Sequence, residues 1–340
     1  MLNKLMLWGS RLSVFLLALS FVVPYLAPSD FPQLSLVSLA VSPLILLNFI
    51  FLIYWFFRKK RKMILTSLVL VIAYLHFGPF IEISSEGDRE EYRQSLKILS
   101  YNVRLFNAYE KDVDSIGVAA VISNMIQEQK PDVIAIQEYY NPNSSDLSEY
   151  PYRFVHFHAK NKLGHAIFSK YPIVNKGAFN FDKTYNNSIY ADIVKGPDTI
   201  RVYNLHLQSL GILPKMDYLQ DGDTEVIRSR MSQAFVKQEI QLKEILTHKK
   251  TSPHPVLMCG DFNNTPFSYI YRQAKAGMKD SFLERGNGIG TTFKFDFYPV
   301  RIDYIFTSPS FEVISYETVK NTFSDHSPVS ATVGWPVKAE

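Results

Sequence analysis

Three apolar runs, spanning residues 5–28, 34–57 and 63–82, dominate the first 82 residues of this chain. About 20 apolar residues cross the hydrocarbon of a bilayer, and soluble cores seldom hold three such stretches in succession. The first run is the shortest, and it reaches that length only if residues 5–10 extend it past Arg11. Residues 1–82 are therefore expected to form a transmembrane module of three helices. The basic block Arg58-Lys59-Lys60-Arg61-Lys62 separates the second and third runs, and basic loops stay in the cytoplasm. The loop carrying Ser29 and Asp30 is poor in Lys and Arg, as is the stretch with Glu82, Glu86, Asp88, Glu90 and Glu91. The chain then reads in–out, out–in, in–out. An integral protein of the plasma or inner membrane is expected, with everything after residue 83 extracytoplasmic. Cleavage of the first run as a signal peptide would leave that orientation unchanged.

Residues 83–95 are polar and read as a tether, and residues 96–338 as one catalytic domain. Charge limits what that domain binds. Residues 1–95 carry 9 Lys/Arg against 6 Asp/Glu, and residues 96–340 carry 27 against 26. A nearly neutral domain argues against the broad basic surface that drives nonspecific DNA binding. The single cysteine, Cys259, excludes an intrachain disulfide and a Cys-based zinc cluster.

Period and turn residues place the elements. Strands are expected over residues 97–101, 132–136, 152–157, 165–169, 173–179, 189–194, 199–205, 256–261, 304–307, 311–315 and 329–333. Helices are expected over 113–129 and 224–247, with a short one near 268–276. Strands mixed with a few helices in one domain suggest two sheets packed face to face with helices outside, an α+β sandwich.

Several of these strands end on polar chemistry: Asn102; Gln137 and Glu138; Asn204 and His206; Asp261 and Asn263; Asp303; Asp325 and His326. One such ending is an ordinary Asx turn. Six in one domain point to loops gathering on one site. The residue types agree with that. Glu138 and Asp325 are hard oxygen ligands suited to Mg²⁺ or Mn²⁺. His206 and His326 donate to phosphate oxygens when protonated, and a partner such as Asp303 favours the imidazolium. Asp261 orients or deprotonates a water, and Asn102 and Asn263 offer neutral donors and acceptors. Gln137 reads as structural, and His156, His158 and His165 as surface or packed residues. The chain has no Gly-x-Ser-x-Gly, no Gly-x-x-x-x-Gly-Lys and no Gly-x-Gly-x-x-Gly.

Six segments in this order resemble the endonuclease/exonuclease/phosphatase superfamily, which includes deoxyribonuclease I-like, exonuclease III-like and neutral sphingomyelinase-like enzymes. They are Ser100-Tyr101-Asn102-Val103-Arg104; Pro131-Asp132-Val133-Ile134-Ala135-Ile136-Gln137-Glu138; Tyr203-Asn204-Leu205-His206-Leu207; Gly260-Asp261-Phe262-Asn263; Arg301-Ile302-Asp303-Tyr304-Ile305-Phe306; and Ser324-Asp325-His326-Ser327-Pro328. The resemblance implies a four-layer αββα sandwich and a divalent-metal phosphohydrolase, here a membrane-anchored bacterial-type member. It also implies roles. Glu138 is the main metal ligand, with Asn102 beside the metal and Asp325 on the metal or nucleophile side. Asp261 activates the attacking water, Asn263 holds a phosphate oxygen, and His326, oriented by Asp303, contacts the phosphate. His206 matches the histidine of the deoxyribonuclease and sphingomyelinase branches, which puts an abasic-site role in doubt. Asn204 and Arg301 are carried over as substrate-binding residues. The substrate is expected to be a phosphodiester, nucleic acid first, with a phospholipid-headgroup phosphodiesterase or a phosphatase as the alternative and a non-catalytic membrane-bound binding module behind both. For the phospholipid reading, the apolar connector of residues 209–220 would lean on a bilayer.

Overall fold

The computed structural model describes residues 2–107, 115–140, 147–158, 164–212, 217, 220, 222–296, 298–320 and 322–336. Three helices open the chain: α1 (Leu2–Ser20), α2 (Val37–Arg58) and α3 (Lys60–Phe77). Among the described residues two segments, Leu2–Tyr25 and Leu34–Arg58, are long and apolar enough to cross a membrane. The expectation of three is corrected at α3. Its first turn is Lys60-Arg61-Lys62, so about 15 residues remain for the hydrocarbon, fewer than in the other two, although α3 runs back along α2 to the docked end.

The catalytic part is a sandwich of two six-stranded sheets. The first sheet contains β1 (Tyr92–Asn102), β2 (Val133–Tyr139), β3 (Tyr152–Phe157) and β4 (Gly164–Ser169). The second contains β5 (Ile173–Asn180), β6 (Asn187–Lys195), β7 (Asp198–His206), β8 (Val256–Asp261), β9 (Lys279–Asp280) and β12 (Asp303–Thr307). The strands β13 (Glu312–Thr318) and β14 (Val329–Pro336) return to the first sheet, giving the order β13-β14-β1-β2-β4-β3. The second sheet runs β9-β12-β8-β7-β6-β5. A separate hairpin, β10 (Phe293–Phe295) with β11 (Tyr298–Val300), stands at the rim.

Alternation along the strands builds three apolar layers. Ile98, Val133, Ile167, Ile189, Val202, Leu257 and Ile305 meet between the sheets. The outer face of the first sheet packs on α4 (Ser115–Gln129) through Val118, Ile122 and Met125. The outer face of the second packs on α5 (Thr224–Lys250) through Leu242 and Ile245, and on α6 (Tyr269–Lys275) through Ile270. This is the expected four-layer αββα sandwich. The start of α5 is set by Asp223, whose side chain accepts from the Glu225 and Val226 N–H groups. Val226 and Ile240 of that helix face outward.

Two joints tie the N-terminal helices to the sandwich. The presumed tether is held rather than loose: residues 82–83 pair with 287–288, Gly87 N–H donates to the Ile314 carbonyl, and β1 already begins at Tyr92. The helices themselves dock at one end. Ser29 bonds the Glu239 carboxylate at 2.7 Å, Thr265 Oγ1 donates to the Ser38 carbonyl at 3.1 Å, and Phe267 packs among Val14, Leu17, Val41 and Val69.

Candidate active site

Strand register assembles the site. In the second sheet Asp261 at the end of β8 stands opposite His206 of the parallel strand β7 and Asp303 of the antiparallel strand β12. Three functional residues thus share one row across three strands. In the first sheet Asn102 ends β1 opposite Gln137, and Glu138 follows it on β2. The ladder between β2 and β4 shifts register between Ile136 and Tyr139, where Glu138 adopts a positive φ of 53°. A bulge of this kind re-aims a side chain. Asn263, just past β8, also has a positive φ of 50°. Non-glycine residues rarely take such a backbone, and those that do concentrate at functional sites. Gly260 has a φ of +132°, and a Cβ there would meet the Leu205 carbonyl oxygen at 2.0 Å. Only glycine lets β8 approach β7 this closely just before Asp261.

Asp261 is the hub, and only 1% of its side chain is exposed. The Asn102 carboxamide donates to its Oδ2 at 3.1 Å and the Asn263 backbone N–H to its Oδ1 at 2.8 Å. The Nε2 atoms of His206 and His326 each lie 3.7 Å from Oδ2. On its other side His326 places Nδ1 3.0 Å from Asp303. Glu138 lies 3.7 Å from His206 Nε2 and 3.4 Å from the Asn102 carboxamide nitrogen.

Burial and charge set the protonation states. Burial pushes Asp261 up, Asp303 adds to this and His326 opposes it, leaving the carboxyl at about 7. Burial disfavours the His326 imidazolium, but Asp303 and Asp261 overcome it and raise the ring to about 10. His206 goes the other way: burial, reinforced by the His326 charge, lowers it to about 3. His206 is therefore neutral at pH 7, and of the two histidines only His326 is charged.

Asp261, Asp303 and His326 each bring a ligand atom within 4.8 Å of one another. The direct His326–Asp303 contact makes this a charge-stabilised pair rather than an ion's cage. Glu138 fits a cation better. Burial pushes its carboxyl up, so its charge is poorly compensated by the protein alone, while 23% of its side chain remains exposed. A hard divalent ion suits that oxygen set, with Asn102 and the Asp325 carboxylate nearby.

Not every expected residue joins the cluster. Asn204 is fully buried between the sheets: its carboxamide donates to the Ile136 and Ala166 carbonyls and accepts from Gln137 at 2.6 Å. Arg301 is buried and paired with Asp280 at 2.8 Å. The polar groups of both are engaged by protein partners rather than by the Asp261 cluster. His165 is fully buried with its ring 5.8 Å from His206. Three contacts escaped sequence reasoning. Arg104 Nε approaches Asp325 Oδ2 at 3.6 Å, Ser324 Oγ donates to the Asn102 carbonyl at 2.9 Å, and Phe293 lies with its ring 4.7 Å from His326. Arg104 and Ser324 stand within quoted motifs and so were findable, whereas Phe293 opens an aromatic run, residues 293–298, that reads from sequence as packing.

The sequence profile of the endonuclease/exonuclease/phosphatase family matches residues 99–326, from the strand before Asn102 through His326. The chain belongs to this family. Its members are hydrolases of phosphoester bonds. A second profile, for a domain of unknown function, matches residues 3–80. No curated protein matches the chain. Among solved structures, an endonuclease/exonuclease/phosphatase family protein from Bacteroides thetaiotaomicron is 22% identical. The match covers 73% of this chain and 98% of that one, with a TM-score of 0.51. The family protein from Bacteroides vulgatus is 17% identical over 72% of this chain and 100% of its own, with a TM-score of 0.54. D. rerio TDP2, complexed with a single-strand DNA product, is 17% identical over 71% and 99%, also at 0.54. These likenesses are of fold.

Proposed function

We propose that this chain is a membrane-anchored, divalent-metal-dependent phosphodiester hydrolase whose catalytic domain lies outside the cytoplasm. The observation that carries the reading is the hub itself. Asp261, held near 7, sits between a cationic His326 and a neutral His206, next to the under-compensated carboxylate of Glu138.

Glu138, with Asn102 and Asp325, would hold Mg²⁺ or Mn²⁺, which supplies charge neutralisation at a phosphate oxygen and the leaving oxygen. Asp261 takes the proton of an attacking water, a task matched to a carboxyl near the working pH. Asn102 and the Asn263 N–H fix its two oxygens so that it does not rotate away. His326 faces the phosphate as an imidazolium, fixed at Nδ1 by Asp303, and meets the negative charge that grows in the transition state. His206, uncharged, contributes at most one N–H.

The anchor reading rests on two apolar segments and on polarity along them. The sandwich docks at Ser29, Ser38 and Phe267, whereas the basic block begins at Arg58, about 30 Å along α2 from Ser38. Basic residues at the far end support a sandwich lying across the membrane from the cytoplasm, with α3 running back along α2 to the docked end. Turnover of bis(4-nitrophenyl) phosphate by the full chain with Mg²⁺ or Mn²⁺, abolished by chelator and by Asp261→Asn, tests the chemistry. Full activity of Asp261→Asn would overturn it.

A nucleic-acid substrate draws support from the DNA product seen with D. rerio TDP2. Of the six basic residues that would track a strand, Lys160, Lys162 and Lys215 lie outside the described residues, Arg228 is paired with Glu225 at 2.7 Å, Arg230 donates to the Gly211 carbonyl at 3.0 Å, and Lys294 is exposed on the rim hairpin. The apolar wall beside Asn263 favours a lipid phosphoester instead.

A further inference from the structure

A cavity of about 480 Å³ lies where the N-terminal helices meet the sandwich. Its walls come from two sources. Leu39 and Pro43 of α2 and Phe77 at the end of α3 form one side, and Ile212, Phe293 and Phe295 of the catalytic domain face them. The volume lies in the range of small-molecule sites. Among the described residues lining it, Arg301 alone is charged, and Asp280 neutralises that guanidinium at 2.8 Å. Such a chamber offers a polyanion nothing and an aliphatic chain a dry surface.

The cavity is continuous with the catalytic centre at two points. Asn263 lines it, and the same carboxamide donates to Asp261 Oδ2 at 3.2 Å. Phe293 lines it with one face of the hairpin and lies against His326. Its helical wall is made by the first turns of α2 and the last of α3, at the end of those helices away from the basic block. Part of the connector of residues 209–220, read from sequence as apolar enough to lean on a bilayer, lines the cavity through Leu210 and Ile212. Its residues 213–216, 218, 219 lie outside the described residues.

We propose that this cavity receives an alkyl chain of a membrane lipid phosphoester and thereby sets the substrate class of the active site. The inference rests on the phosphodiesterase reading above. The lipid keeps its chain in the junction between helices and sandwich, and its phosphate reaches the Asp261–His326–Glu138 cluster past Asn263. The N-terminal helices are then part of the substrate site as well as an anchor. Hydrolysis itself is unchanged: water adds to phosphorus, Asp261 takes its proton, and the P–O bond to the leaving alcohol breaks, with that oxygen reprotonated from solvent.

The test compares, on the full chain held in amphipol with Mg²⁺, three probes: bis(4-nitrophenyl) phosphate, dihexanoyl- and diheptanoyl-phosphatidylcholine below micelle formation, and a single-stranded DNA oligonucleotide. The expected result is a kcat/KM that rises with chain length, by up to about fourfold per added methylene buried. Leu39→Trp and Ile212→Trp, each filling the cavity from a different wall, should lower the ratio of lipid to soluble-diester kcat/KM at least tenfold. Two independent walls guard against one variant failing to fold. Turnover of the soluble diester with no chain-length dependence, or with that ratio unmoved in both variants, overturns the lipid assignment and leaves the phosphodiesterase reading standing. Faster turnover of DNA than of either lipid overturns it equally. No turnover of any probe overturns both.

Discussion

Nδ1 of His326 lies 3.0 Å from the Asp303 carboxylate, a contact that joins a loop entering the first sheet to a strand of the second. His326 sits in the loop before β14, and Asp303 opens β12 beside Asp261. The pairing therefore holds only while the two sheets stay packed. It fixes the ring so that Nε2 faces Asp261 and the phosphate position, and it keeps the ring charged.

Asp303→Asn should remove that charge support while preserving shape. The His326 ring, raised to about 10 by Asp303 and Asp261 against burial, should fall back toward its ordinary value. Turnover at pH 8 should drop by about 10² or more, with the variant least impaired at lower pH. Rates from pH 5 to 10 on the two proteins check this, and an unshifted alkaline limb in the variant would count against the role.

The wild-type pH profile should be a bell. Activity needs Asp261 deprotonated, so it rises with pH through about 7, where burial and Asp303 hold that carboxyl. It needs His326 protonated, so it falls as pH approaches about 10. A divalent cation at Glu138 favours nearby negative charge and can move the acidic limb only downward. A profile that falls steadily from pH 5 would contradict these assignments.

Glu138→Gln keeps the side-chain volume and removes the charge that a cation would match. The metal concentration giving half-maximal rate should rise more than about tenfold. Mn²⁺ binding followed by electron paramagnetic resonance supplies a readout independent of turnover. Equal Mn²⁺ affinity in the two proteins would move the metal elsewhere.

Gly260→Ala should be among the costliest single changes in the second sheet. The new Cβ would sit 2.0 Å from the Leu205 carbonyl at a φ of +132°, so β8 must retreat from β7 and carry Asp261 away from His206. A loss of about 3 kcal/mol corresponds to a fall in Tm of about 6–12 °C. Thermal melts of the full chain measure it, and an unchanged Tm would show that the strands can separate without strain.

Much of this protein is legible in order along the chain. The apolar period of each strand, the capping Asp223 and the apolar runs of the first 60 residues act locally, so they survive in sequence. The same holds for the strand-end residues. Asn102, Glu138, His206, Asp261, Asn263, Asp303 and His326 can be picked out because buried strands that stop on polar groups break their own pattern. Asn204 and Arg301 satisfy the same rule and face elsewhere. Which way a strand-end side chain turns depends on a bulge, a register and a partner such as Asp280, and these are contributed by distant segments.

Sequence by itself determined the family, the αββα layering and the residue types of the site, because periodicity and short motifs encode them directly. Tertiary structure alone decided that His206 is neutral while His326 is charged, since burial and the approach of Asp303 set those states. It also shortened the third expected span and docked the tether. Above all it brought Leu39, Pro43 and Phe77 of the N-terminal helices against Ile212, Phe293 and Phe295 beside the catalytic cluster. No local pattern records that contact, because a cavity wall is shared by segments up to about 250 residues apart and belongs to none of them.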